Sequence, residues 1–257
     1  MRILLIRHGD PDYVNDTLTE KERREAALLA KRAVSMNMGE CYKSPLGRAK
    51  DTAAPCLEVT GKTAEILDWL QEFPAQVDLN KNPELEKAYP DVKKEGGYFL
   101  PRIAWDMVPG YWTEHEAYMD KNTWRETEVA KNSDLVEVYD HVIEEFDRFL
   151  AEHGYVREGA HYRVEKESDE TVTFFCHFGI SCVLLSHLWN VSPFVLWHCL
   201  ALAPTSVTEV VTEERERGTA YFRGLKVGDI SHLYAGGEEP SFAARFCETY
   251  SNKEQRH

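Results

Sequence analysis

The pattern that most limits this chain is an alternation of short apolar runs with helical stretches. Arg2–Ile6 ("RILLI") is aliphatic without polar alternation, as in a strand covered on both faces. Thr19-Glu-Lys-Glu22 then has capping-box spacing, and Ala26, Leu29, Ala30, Ala33 and Val34 follow at helical intervals. Glu40–Lys43 reads as a strand and Ala49–Val59 as a helix that Pro55 kinks and Gly61 closes, before a further strand at Ala64–Leu67. Asp134–Glu152 is an amphipathic helix, Thr171–Cys176 a strand and Ile180–Trp189 a helix, with strands at Thr205–Thr212 and Thr219–Leu225. Strand–helix alternation predicts an α/β three-layer sandwich, a mostly parallel central sheet with helices on both faces.

Residues 74–132 break this rhythm. The stretch holds Pro74, Pro83, Pro90, Pro101 and Pro109 together with Tyr98, Phe99, Trp105, Tyr111, Trp112, Tyr118 and Trp124. It is too aromatic for a disordered linker. The expectation is one domain over residues 1–257 with an inserted cap at 74–132, its aromatics serving more as core than as ligand contacts.

With 257 residues the chain can bury a full core. Its net charge of −14 disfavours nucleic acid or an anionic membrane as partner, leaving a small anion held by locally concentrated arginine. The cysteines at 41, 56, 176, 182, 199 and 247 show no CxxC spacing and read as reduced core thiols. The first apolar run is too short for a signal-peptide core or membrane span, so the expected location is cytoplasmic. Nothing in the sequence speaks to oligomeric state.

Ligands in such sheets bind beyond the carboxyl ends of the strands. Arg7 and His8 follow the first strand, and His177 follows "TVTFFC". Arg48 lies at the start of the helix after Ser44-Pro45, where free N–H groups also favour an anion. These are the parts that metal-free cleavage of a phosphate monoester requires. Guanidinium forks hold the phosphoryl group, a neutral imidazole attacks, and a carboxylic acid protonates the leaving oxygen. Glu72 in "LQEF", flanked by Leu70 and Phe73, is the candidate acid, its pKa raised by an apolar setting, with Asp68 and Glu84 as nearby competitors.

"RHGDP", "SPLGRAKDTA", the glutamate of "LQEF" and "CHFG" resemble, in order, the signatures of the histidine phosphatase superfamily, whose fold is phosphoglycerate-mutase-like. The resemblance covers residues 1–72 and about 170–235. It implies that His8 becomes a phosphohistidine, that Arg7, Arg48 and His177 hold the phosphoryl group, and that Glu72 is acid and then base. Asn15 would reach the pocket rim, although it stands one residue off the mutase spacing. Neither cofactor nor metal is implied, and the partner is a small phosphorylated metabolite.

The departures are informative. The RHGxRxP form of the acid-phosphatase and phytase branch is absent from "RHGDPDY", and Phe178 follows His177 where that branch has an acid, so the chain resembles the mutase and small-phosphatase branch. The tryptophan-bearing loop of true phosphoglycerate mutases is not visible, which favours a hydrolase over a mutase. Glu22 replaces the small residue of the family's first helix start, a change expected to affect only a surface turn.

Competing patterns are incomplete. His115-Glu116 opens like a zinc-protease helix, but Met119 fills the second histidine's place. His141, His153, His161, His187, His198 and His232 show no ligand spacing. "HFGIS" resembles a hydrolase elbow at Ser181, yet Val183 occupies the place of the glycine that permits the turn. A non-catalytic module that binds phosphorylated ligands would need the same arginines, and it leaves the joint presence of His8, Glu72 and His177 unexplained.

Overall fold

The computed structural model describes residues 1–9, 11–12, 15–241, 249 and 251–252. Along the chain the principal strands are β1 (Arg2–Arg7), β2 (Glu40–Lys43), β3 (Ala64–Ile66), β4 (Thr171–Cys176), β5 (Val207–Glu216) and β6 (Thr219–Asp229). The principal helices are α1 (Glu20–Ala33), α2 (Gly47–Thr60), α3 (Leu135–Glu152), α4 (Phe178–Trp189), α5 (Pro193–Cys199) and α6 (Ser231–Gly236). Two compact units result, one of Met1–Glu72, Val164–Ser181 and Ala201–His257, the other of Phe73–Arg163 and Cys182–Leu200.

In the first unit the strands lie in the order β3-β2-β4-β1-β5-β6. The first four run parallel, whereas β5 and β6 are antiparallel to their neighbours, so the sheet is mixed with a parallel centre and helices around it. β4 is buried at every residue and β1 at all but Arg2, which explains their mostly apolar character. The register Arg7↔Cys176 ends both strands together and delivers His8 and His177 side by side.

Local signals act as the sequence suggests. Thr19 caps α1 by accepting the Glu22 N–H at 3.3 Å, and α2 ends on Gly61 at φ 64°, a left-handed position suited to glycine. Pro55 stays inside the helix. Two expectations need correction. Glu22 is fully buried, because the side of α1 that carries it packs onto Gly9: a Cβ placed there would lie 2.7 Å from Glu22 Oε2. Cys199 is exposed rather than in the core, since it closes the short helix α5, while Cys41, Cys56, Cys176 and Cys182 are buried thiols; Cys247 falls outside the described residues.

The second unit has its own aromatic core. Trp105 stacks on Trp197 with centroids 5.6 Å apart, and Phe194 meets Tyr118 at 4.8 Å and Trp197 at 5.2 Å. α3 adds Tyr139, Val142, Phe146 and Leu150 from one face. Among the described residues, no helix is long and apolar enough to cross a membrane.

Candidate active site

Three parallel strand ends assemble the site in the first unit. His8 N–H donates to Cys176 O at 2.9 Å, and Ser44 N–H donates to Phe175 O at 2.9 Å. His8, Ser44 and His177 thereby share one sheet edge. Arg7, His8 and His177 are all buried, and the His8 and His177 rings lie 4.7 Å apart, centroid to centroid.

His8 Nδ1 meets the Gly9 carbonyl, which can only accept, so Nδ1 carries the proton and Nε2 keeps its lone pair. Arg48 Nε stands 3.4 Å from that Nε2. Gly9 N–H is in turn fixed by Thr52 Oγ1 at 3.0 Å. Burial pushes the His8 imidazole well below its ordinary range; His177, Arg7 and Arg48 reinforce this against the Gly9 carbonyl. The ring is held neutral and in one orientation.

His177 is arranged as a donor. Ser44 Oγ accepts the Leu46 N–H at 3.2 Å and lies 2.7 Å from His177 Nε2. With the hydroxyl donating to Nε2, the proton sits on Nδ1, a fully buried atom with no hydrogen-bond partner among the described residues. Such an atom fits a phosphoryl oxygen. Burial, then Arg48 and Arg7, lowers the His177 pKa to about 2, so the ring stays neutral.

Arg7 Nη1 donates to Leu202 O, and Arg48 is held from outside by Asp16. Glu72 is half-buried, and its Oε1 accepts the Ile180 N–H at 3.3 Å in the first turn of α4. Donor atoms of His8, Glu72 and His177 all lie within 4.8 Å of one another, near enough to share an ion. Two guanidinium groups beside them set a positive field that favours a dianion over a cation.

The structure therefore brings together Arg7, His8, Arg48, Glu72 and His177. Asn15 is exposed, and its neighbour Asp16 makes the contact with Arg48. Ser44 and Thr52 are supporting residues that sequence reasoning did not single out. Both were visible as the polar members of "SPLGRAKDTA".

Residues 3–98, which contain this cradle except His177, match the family model of the histidine phosphatase superfamily, branch 1. Over those residues the chain is similar to the histidine phosphatase superfamily. A probable phosphatase of Schizosaccharomyces pombe is 24% identical over 247 residues, covering 91% of this chain and 95% of the relative. Among solved structures, a phosphoserine phosphatase of Entamoeba histolytica in complex with phosphoserine has a TM-score of 0.55 at 15% identity, covering 90% and 98% of the two chains. A mycobacterial glucosyl-3-phosphoglycerate phosphatase has a TM-score of 0.52 at 18% identity, covering 87% and 96%. The structural likenesses establish the shared fold. Family and relatives together support a phosphatase.

Proposed function

We propose that this chain is a metal-independent phosphomonoesterase of the histidine phosphatase kind, acting on a small phosphorylated metabolite through a phosphohistidine at His8. The observation that carries the reading is the tautomer of His8: Nδ1–H is committed to Gly9 O, and the Nε2 lone pair faces the Arg48 guanidinium.

In the first step His8 Nε2 attacks phosphorus in line while Arg7, Arg48 and His177 Nδ1–H hold the phosphoryl oxygens. The bond from phosphorus to the ester oxygen breaks, and Glu72 gives that oxygen its proton. In the second step a water oxygen attacks phosphorus, the Glu72 carboxylate takes the water's proton, and the nitrogen–phosphorus bond breaks to release phosphate. The Ile180 N–H, donating to Oε1, orients the Glu72 carboxyl towards this task. Relatives named for phosphoserine and glucosyl-3-phosphoglycerate support a phosphorylated alcohol as the substrate class.

The test is phosphate release from a panel of phosphorylated metabolites, with acid-labile phosphoenzyme trapped on the full chain. His8→Ala is expected to abolish both signals and chelator to affect neither. Turnover undiminished in His8→Ala would overturn the reading, and strong inhibition by chelator would replace it with a metal mechanism.

A further inference from the structure

His232 is buried, titratable and outside the phosphate cradle, yet it is linked to the backbone that carries His8. The link runs through residues 202–206. Arg7 N–H donates to Ser206 O at 3.1 Å, Thr205 N–H donates to His8 O at 3.5 Å, and Leu202 O accepts from the Arg7 guanidinium. One short segment thus holds the Arg7 main chain, the Arg7 side chain and the His8 carbonyl.

That segment contains a tight turn, Ala203-Pro204-Thr205-Ser206, closed by Ser206 N–H to Ala203 O at 3.1 Å. Thr205 has φ 58°. Proline second and a positive φ third is the type II pattern, in which the third place calls for glycine or asparagine. A β-branched residue there is sterically costly. Glycine would form the same turn without strain, so the threonine needs another reason.

Its hydroxyl supplies one. Thr205 Oγ1 lies 3.1 Å from His232 Nε2, and both residues are buried. On the other side of the ring, Arg32 Nη1 donates to His232 Nδ1 at 3.4 Å, and Arg32 Nη2 is fixed by Asp229 Oδ2 at 2.6 Å. A guanidinium can only donate, so Nδ1 carries the lone pair and Nε2–H points at Thr205. A connected line runs from Asp229 through Arg32, His232 and Thr205 to His8 O.

We propose that Thr205 and His232 are positioning residues: their hydrogen bond locks the strained 203–206 turn and thereby sets the placement of the Arg7 guanidinium and the His8 ring. This rests on the reading of His8 as the nucleophile. Neither residue touches the phosphoryl group.

The test compares Thr205→Val, Thr205→Ser, His232→Phe and the double variant Thr205→Gly/His232→Phe in the full chain. Thr205→Val and His232→Phe are expected to lower kcat and weaken orthovanadate inhibition together, on the order of tenfold or more, with KM little changed. Thr205→Ser is expected to restore both. The double variant removes the strain and leaves no unpaired His232 donor, so it should melt no lower than wild type yet remain slow. Wild-type kcat in the Val and Phe variants, or a rate loss that follows melting temperature alone, overturns the proposal. The His8 ring nitrogen resonances, followed by NMR without substrate, separate the two claims. They should shift in Thr205→Val even if no phosphate ester is hydrolysed, and unchanged resonances overturn the positioning role by themselves.

Discussion

Asp16 and Arg48 are joined in a two-point clamp: Asp16 Oδ1 accepts from Arg48 Nη1 at 2.9 Å, while Oδ2 accepts the Gly47 N–H at 2.5 Å. The carboxylate thus sits on the first N–H of α2 and turns the guanidinium so that Nε faces His8. Burial works against ionisation of Asp16, but the Gly47 N–H and Arg48 outweigh it and hold its pKa below the usual range.

Removing the clamp is expected to let Arg48 swing. Asp16→Ala should lower kcat/KM on the order of tenfold, as expected when a positioning contact is lost. Asp16→Asn keeps an acceptor for one of the two donors and should retain most activity. Steady-state kinetics on the best substrate of the panel checks both, and equal losses in the two variants would show that charge rather than orientation matters.

Glu72 predicts a dependence on the leaving group. Glu72→Gln is expected to slow hydrolysis of alkyl phosphates by about 10²–10⁴-fold, the usual worth of a positioned general acid. Aryl phosphates with acidic phenols leave without a proton and should suffer less. Parallel assays of an alkyl and a nitrophenyl ester measure this, and equal losses on both would remove Glu72 from the acid role.

Much of the cradle was legible because its parts lie at strand ends that composition marks clearly. β1 carries the aliphatic run Ile3–Ile6 and β4 ends in Phe174-Phe175-Cys176, and each strand is followed at once by its histidine. Arg48 was legible from the motif around α2. Glu22 was not: capping-box spacing places it in the first turn of α1 and says nothing of what lies above that turn, and there it meets Gly9. Asp16–Arg48 and Thr205–His232 join side chains 32 and 27 positions apart, pairings that follow from folded geometry and leave no local pattern. Val207, rather than Thr205, begins β5 because the preceding turn needs Thr205 at a positive φ.

Gly47 is expected to tolerate no side chain. A Cβ there would stand 2.0 Å from the Asp16 backbone oxygen, which cannot swing aside as a flexible side chain can. Gly47→Ala should therefore displace the Asp16 turn, lowering stability by about 2 kcal/mol, within the range for a strained substitution, and loosening Arg48 as well. Denaturant melts and orthovanadate inhibition measure the two effects. A variant with wild-type values in both would show that the helix start moves freely.

Acid should destabilise the fold through its buried histidines before the carboxylates titrate. Burial, with Arg48 and Arg7, holds His177 at about 2, and burial with Arg32, opposed by Asp229, holds His232 at about 4. In the unfolded chain both return to about 6.5. Below that pH the unfolded state binds more protons than the folded one, so stability is complete above about pH 7 and falls as pH is lowered. The share of His232 is lost by about pH 4, whereas that of His177 continues towards pH 2. From pH 7.5 to 5.5, each neutral-held histidine removes about 1.4 kcal/mol. Urea midpoints over that interval should fall accordingly, and His177→Gln should make the decline shallower by one histidine's worth. A midpoint flat from pH 7.5 to 5.5 would mean that these rings take up protons in the folded state, against the neutral form that burial and the neighbouring guanidinium groups impose on them.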